Sequence, residues 1–100
     1  MKKSGNVVSG SKVFLDIWEA LEFSPEEAAN LRLRSELMSQ IDAFIKRQAW
    51  TQAEAAQRCG VSQPRINELM RGRISRFSLD ALVKIATTLG HKVHMQIKAA

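Results

Sequence analysis

The sequence predicts an all-α fold of short helices, with one β-strand at its C-terminal end. Three observations predict it. Capping residues stand at the starts of separate segments of helical periodicity, glycines follow three of these segments, and the last ten residues change to an alternating period. A length of 100 residues, of which 45% are hydrophobic, suffices for one small domain with its own core.

The N-terminal residues 1–23 are expected to form a flexible arm. Residues 1–11 are rich in Ser, Gly and Lys and show no periodicity. Residues 12–23 place Phe14, Trp18 and Leu21 at helical spacing, which predicts a short amphipathic segment. The apolar side of this segment needs a partner, which is either this domain's own core or another protein.

A long helix is predicted from Ser24 to about Gln48. Ser24 is a good N-cap, Pro25 suits the first helical position, and Glu27 can complete a capping box. An apolar stripe follows on one face of this helix and is expected to face the core: Leu37, Met38, Ile41, Phe44 and Ile45.

A short second helix is predicted to begin after Thr51 and to stop near Cys59. Thr51 and Glu54 have the spacing of another capping box. Gly60 can adopt the left-handed conformation that ends a helix.

A third helix is predicted to start at the cap Ser62 and to end at Gly72. Pro64 falls within its first turn, where a missing N–H costs nothing. A basic loop follows, and Ser78 caps a fourth helix that ends at Gly90.

The last segment, residues 91–100, is predicted to be a half-buried strand. Its apolar residues alternate with polar ones. A lone strand leaves its backbone groups unpaired, so we expect it to pair with a second copy of the chain. The residues expected in this dimer contact are Val93, Met95 and Ile97.

The positive charge is confined to the second half of the chain. In residues 1–50, seven Lys and Arg balance seven Asp and Glu, whereas in residues 51–100 eight basic residues outweigh three acidic ones. The net charge of +5 therefore belongs to the half that contains the two short helices. This distribution is typical of a protein that binds a polyanion, although a solvated basic surface would look the same.

The stretch Gln52–Gly72 resembles the helix-turn-helix of the lambda-repressor-like (XRE) family. The matching residues are Gln52, Ala56, Gly60, Val61, Ile66 and Leu69. Over roughly residues 31–89, and with the long first helix, the chain is most similar to HigA-type antitoxins and their solitary regulator relatives. The resemblance implies a lambda-repressor-like helical bundle that forms a homodimer on a palindromic operator and represses its own promoter. It also implies neutralisation of a cognate toxin where a toxin gene is adjacent.

The resemblance places the second short helix of this motif in the DNA major groove, with its N-terminal residues at the base edges. The candidate base-reading residues are Ser62, Gln63, Pro64, Arg65, Asn67 and Glu68. Gln63 can pair with adenine and Arg65 with guanine, whereas Pro64 can only contact a thymine methyl. Asn67 and Glu68 are alternatives for contact with a further base. The resemblance favours Glu68, because its place in the helix matches a base-contacting position of the family.

A second set of residues is expected to bind phosphates rather than bases. Thr51 and Gln52 lie at a helix N-terminus, where free N–H groups suit an anion. The others surround the loop after the predicted recognition helix, where basic side chains would fix the register on the duplex. They are Arg71, Arg73, Ser75 and Arg76.

Other classes of function have little support in the sequence. Cys59, His91 and His94 have no metal-ligand spacing, and no nucleophile–base set or glycine-rich phosphate loop occurs. We therefore expect neither an enzyme nor a bound metal or cofactor. A single cysteine and the lack of an apolar span predict a cytoplasmic protein with no membrane contact, and DNA binding would make it nucleoid-associated. The alternative function is a protein-interaction module whose main role is binding and neutralising a toxin.

Overall fold

The computed structural model of the chain describes residues 24–99, which contain four α-helices and one short 3₁₀ turn. The helices are α1 (Pro25–Gln48), α2 (Gln52–Cys59), α3 (Gln63–Met70) and α4 (Leu79–Thr88), and the 3₁₀ turn is Ile74–Arg76. The predicted arm over residues 1–23, with its amphipathic segment at Phe14, Trp18 and Leu21, lies outside the described residues. The predicted all-α class is confirmed for the part of the chain that the structure describes.

Each helix begins at the predicted cap. The Ser24 hydroxyl accepts the Glu27 N–H while the Glu27 side chain accepts the Ser24 N–H, so the first capping box is complete. The hydroxyls of Thr51, Ser62 and Ser78 each accept an N–H three residues further on. These bonds fix where all four helices start.

The turn between α2 and α3 is made by Gly60 in the left-handed conformation, with φ of 74°. Its N–H bonds to the carbonyl of Gln57, and the next N–H, of Val61, bonds to the carbonyl of Ala56. Both bonds satisfy carbonyls that the end of α2 would otherwise leave unpaired. The turn thereby sets the angle at which α3 leaves α2.

The core lies where α1 packs against α3, α4 and the 3₁₀ turn, while α2 packs against α3 and α4. Among the described residues no polar or charged side chain is fully buried. The predicted stripe of α1 needs a small correction. Met38, Ile41 and Ile45 are buried, whereas Leu37 and Phe44 are only half-buried at the edge of the core.

The loop after α3 is more deeply anchored than its basic sequence suggests. Ile74 and Phe77 are 0% and 1% exposed, and they belong to the same core cluster as Ile66, Leu69 and Leu82. Their spacing of three residues places both side chains on one face of a 3₁₀ turn. The loop is thus held by two apolar anchors, with basic residues between and beside them.

The predicted C-terminal strand is not observed in the described chain. Residues 91–99 form no regular secondary structure and are exposed rather than half-buried. The exposed fractions of Val93, Met95 and Ile97 rise along the segment, at 36%, 60% and 99%. Alternation in the sequence assigns faces to side chains but does not provide the second strand that a hydrogen-bonded ladder requires.

The start of this C-terminal segment lies beside α1. The His91 ring packs edge-on against Phe44, with 4.4 Å between ring centroids, and Phe44 in turn contacts Trp50. A groove of about 340 Å³ lies between α1 and the residues that follow His91, and Leu33, Leu37 and Val93 are among its lining residues. This groove is on the surface of the domain and not in its core.

Candidate nucleic-acid interface

The predicted recognition helix, α3, has one face in the core and the opposite face directed away from it. Ile66 and Leu69 are buried, at 0% and 1% exposure. The opposite face consists of positions at helical spacings of three and four, which form one stripe along an α-helix. The residues of this outward stripe are Pro64, Asn67, Glu68 and Arg71.

The N-terminal end of α3 is held rigidly by its cap. The Ser62 hydroxyl accepts the Arg65 N–H at 3.2 Å, so one of its lone pairs is already used within the chain. Gln63 and Pro64 in the first turn are exposed. Of the residues predicted to read bases here, Ser62 therefore has a structural role, and Gln63 and Pro64 remain open to a partner.

Arg65 is bound within the protein. Its Nη1 donates to the carbonyl of Arg76 at 2.8 Å, and its guanidinium carbon lies 4.1 Å from the centroid of the Phe77 ring. The side chain therefore links α3 to the loop that follows it. The N–H groups on Nε and Nη2 are not used in that hydrogen bond.

Asn67 and Glu68 are both half-buried on the outward stripe. The Oε1 atom of Glu68 is shielded from solvent and has no hydrogen-bond donor among the described residues. A carboxylate oxygen without a donor is unfavourable, so Glu68 is an acceptor that a donor group would stabilise. The choice between these two residues as a base reader stays a prediction.

The residues predicted to bind phosphates surround α3 at two places. Thr51 and Gln52 are exposed at the N-terminus of α2, and the Thr51 hydroxyl accepts the Glu54 N–H. Arg71, Arg73 and Arg76 are exposed at the C-terminal end of α3 and in the loop after it, together with Ser75. We call residues 71–76, which carry these four side chains, the basic loop.

Sequence reasoning missed one residue that shapes this site. Arg34 of α1 is half-buried, and its Nη1 donates to the carbonyls of Ile74 and Phe77, each at 3.1 Å. The contact joins residues 40 and 43 positions apart in the chain. The only sequence signal is an arginine among the core-facing positions of α1, a pattern that does not name its partner.

The described residues that would support other chemistry are dispersed. Within residues 24–99 no three His, Cys, Asp or Glu side chains lie together as metal ligands would. Cys59 is buried in the core, and burial raises the pKa of its thiol, so it stays protonated at neutral pH. None of the described helices is both long and apolar enough to cross a bilayer.

The comparisons with known proteins agree with this geometry. A family model described as a helix-turn-helix domain matches residues 20–98, which covers all four helices and most of the C-terminal segment. The chain has no significant match among curated proteins. The capped pair α2–α3, its glycine turn and the family match lead to one conclusion. This chain belongs to the helix-turn-helix domain family, and that membership suggests a DNA-binding regulator.

Proposed function

We propose that the protein is a sequence-specific DNA-binding transcriptional repressor of the lambda-repressor-like (XRE) family, similar to HigA-type antitoxins and their solitary regulator relatives. The observation that carries the proposal is the joining of the outward stripe of α3 to the basic loop on one surface. Two residues of the stripe, Asn67 and Glu68, carry polar groups, and the basic loop brings the exposed Arg73 and Arg76 beside the Arg71 that the stripe already contains. Polar side chains for base edges and arginines for phosphates are the two parts of a DNA interface. Such a repressor acts in the cytoplasm, on the nucleoid.

The test is footprinting of the purified chain on its own promoter, combined with a salt series. We expect one protected site with twofold symmetry and an affinity that falls steeply as the salt concentration rises. A helical scaffold without a DNA role would protect no site and would show no salt-dependent DNA binding at all.

Replacing Arg65 by alanine tests base reading by α3. If the free N–H groups of Arg65 pair with guanine, the variant loses about 1–3 kcal/mol of binding free energy at one base pair of the operator. The measurement is the affinity for the operator and for a set of single-base variants. Arg58→Ala, which removes an exposed arginine from α2, is the matched control. An equal loss on every sequence would mean that Arg65 acts only through its contact with the basic loop.

A homodimer would give the protein two recognition helices about 34 Å apart, one turn of B-DNA. The apolar side chains of the C-terminal segment support this part of the proposal. Val93, Met95 and Ile97 are exposed although apolar, and Val93 and Met95 lie at the groove beside α1. Exposed apolar side chains clustered in this way are typical of a surface that a partner covers. We assign the dimer contact to these three residues.

A pair of double substitutions tests this dimer contact. Met95→Lys/Ile97→Lys should weaken dimerisation by about a hundredfold or more, because two apolar side chains worth about 1.5–3 kcal/mol each would no longer be buried. The control His94→Lys/Gln96→Lys adds the same two lysines at the alternate positions. Sedimentation equilibrium measures both. Equal dimer strength in the two variants would rule out this surface as the contact.

The alternative function, binding and neutralising a cognate toxin, rests on the family resemblance and on the amphipathic pattern at Phe14, Trp18 and Leu21. It is compatible with DNA binding in one protein. Co-expression with the product of the adjacent gene separates the two. An antitoxin would co-purify with that product and restore growth, whereas a solitary regulator would bind its operator and do neither.

A further inference from the structure

The side chain of Arg34 reaches from α1 to the loop that carries the phosphate-binding residues. Nη1 donates to the carbonyls of Ile74 and Phe77, and Nε donates to Oδ1 of Asn30 at 2.7 Å. Asn30 lies one helical turn before Arg34 and therefore fixes the plane of the guanidinium. Three directed hydrogen bonds leave this side chain little freedom.

The two carbonyls bound by Arg34 stand at the two ends of the 3₁₀ turn. Within the turn the backbone bonds run from Arg76 to Arg73 and from Phe77 to Ile74. A single 3₁₀ turn has little stability of its own, because few hydrogen bonds offset the ordering of its backbone. The contact with Arg34 ties both ends of the turn to the longest helix of the domain.

The same contact also changes the charge that the loop presents. Carbonyl oxygens carry partial negative charge and would repel a phosphate placed beside them. Here the carbonyls of Ile74 and Phe77 are covered by Arg34, and that of Arg76 by Arg65. A planar guanidinium can bind two carbonyls at once, which a lysine ammonium does with less directionality.

From these contacts we propose that Arg34 is a positioning residue for DNA binding. It touches no phosphate, and it holds the 3₁₀ turn in the position from which Arg73 and Arg76 reach the DNA backbone. The proposal rests on the DNA-binding function proposed above. It adds a residue of α1, outside the helix-turn-helix pair, to the determinants of affinity.

The test compares Arg34→Gln with Arg32→Gln. Arg32 lies on the same helix and is exposed, so the two variants lose the same charge and differ only in the contact with the loop. Fluorescence anisotropy with a duplex containing the operator is measured over a range of salt concentrations. Arg34→Gln should lower affinity about tenfold and flatten the slope of log affinity against log salt by about one to two. Arg32→Gln should leave the slope unchanged.

Amide hydrogen exchange gives a second readout that a general loss of stability would not reproduce. In Arg34→Gln the amides of Arg76 and Phe77 should exchange at least about tenfold faster, while those in the middle of α1 keep their rates. If Arg34→Gln does not fold, Asn30→Ala replaces it, because Asn30 is exposed and its loss only frees the guanidinium. That variant should show the same changes at smaller size.

Three outcomes are distinguishable. A lower slope with faster exchange in the loop supports the proposal. A slope equal to that of Arg32→Gln, or loop exchange that is unchanged in a folded variant, overturns it while DNA binding by the parent chain stands. A parent chain that shows no salt-dependent DNA binding overturns the proposed function itself, and the positioning role with it.

Discussion

Replacing Phe77 by alanine is expected to lower the free energy of unfolding by about 3–5 kcal/mol, because it empties a closed site in the core. The Phe77 side chain is 1% exposed and is the largest of the fully buried ones. Its removal leaves a cavity in a core shared by the loop and α3. Small domains have a total stability of about 5–15 kcal/mol, so the melting temperature should fall by more than about 10 °C.

The matched control is Phe44→Ala, which removes the same atoms from a half-buried ring at the edge of the core. It should cost clearly less, because solvent already reaches part of the ring and no closed cavity forms. Thermal and urea unfolding of both variants, followed by circular dichroism, gives the comparison. Equal losses would mean that Phe77 is not the main anchor of the basic loop.

The double variant Arg73→Ala/Arg76→Ala is expected to have the largest effect on DNA binding. If both arginines contact phosphates, the slope of log affinity against log salt falls by about two per bound subunit. Affinity at 0.15 M salt should fall by about ten- to a hundredfold, and equally for operator and random duplexes, since phosphates carry no sequence information. Both side chains are exposed, so the fold should be unaffected.

The control for this variant is Arg32→Ala/Arg47→Ala, which removes two exposed charges from α1. It lowers the net charge by the same amount and should flatten the slope far less. A slope that falls equally in both double variants would show a general effect of charge and would remove Arg73 and Arg76 from the phosphate contacts. A loss restricted to the operator would assign them to base reading instead.

The starts and ends of the helices could be predicted from the sequence because they depend on local chemistry. The hydroxyl of each cap accepts a bond from an N–H three residues away, and the caps are Ser24, Thr51, Ser62 and Ser78. Gly60 needs no contact with a distant residue to adopt its left-handed conformation. These signals lie within a few residues of the feature that they determine. The helix-turn-helix pair follows directly from them.

The contacts that organise the basic loop could not be predicted in the same way. Arg34 meets Ile74 and Phe77 only after the chain has folded back on itself, and Arg65 meets Arg76 across a turn. Helical periodicity and capping residues carry no information on which residues from distant parts of the chain will meet. The same limit explains why the strand predicted at Val93–Ile97 was wrong. Alternation specified two faces, but a hydrogen-bonded ladder depends on a partner strand that the sequence does not identify.

If α3 reads bases as proposed, its shortness limits how much DNA sequence one subunit can read. Eight residues at about 1.5 Å of rise span about 12 Å, the length of three to four stacked base pairs. A given four-base-pair sequence recurs by chance about once in 256 positions, whereas a genome offers about a million or more competing sites. A single copy of α3 would therefore match thousands of equivalent DNA sites. If the chain is the proposed regulator, selective binding requires that two or more such short sequences be read together.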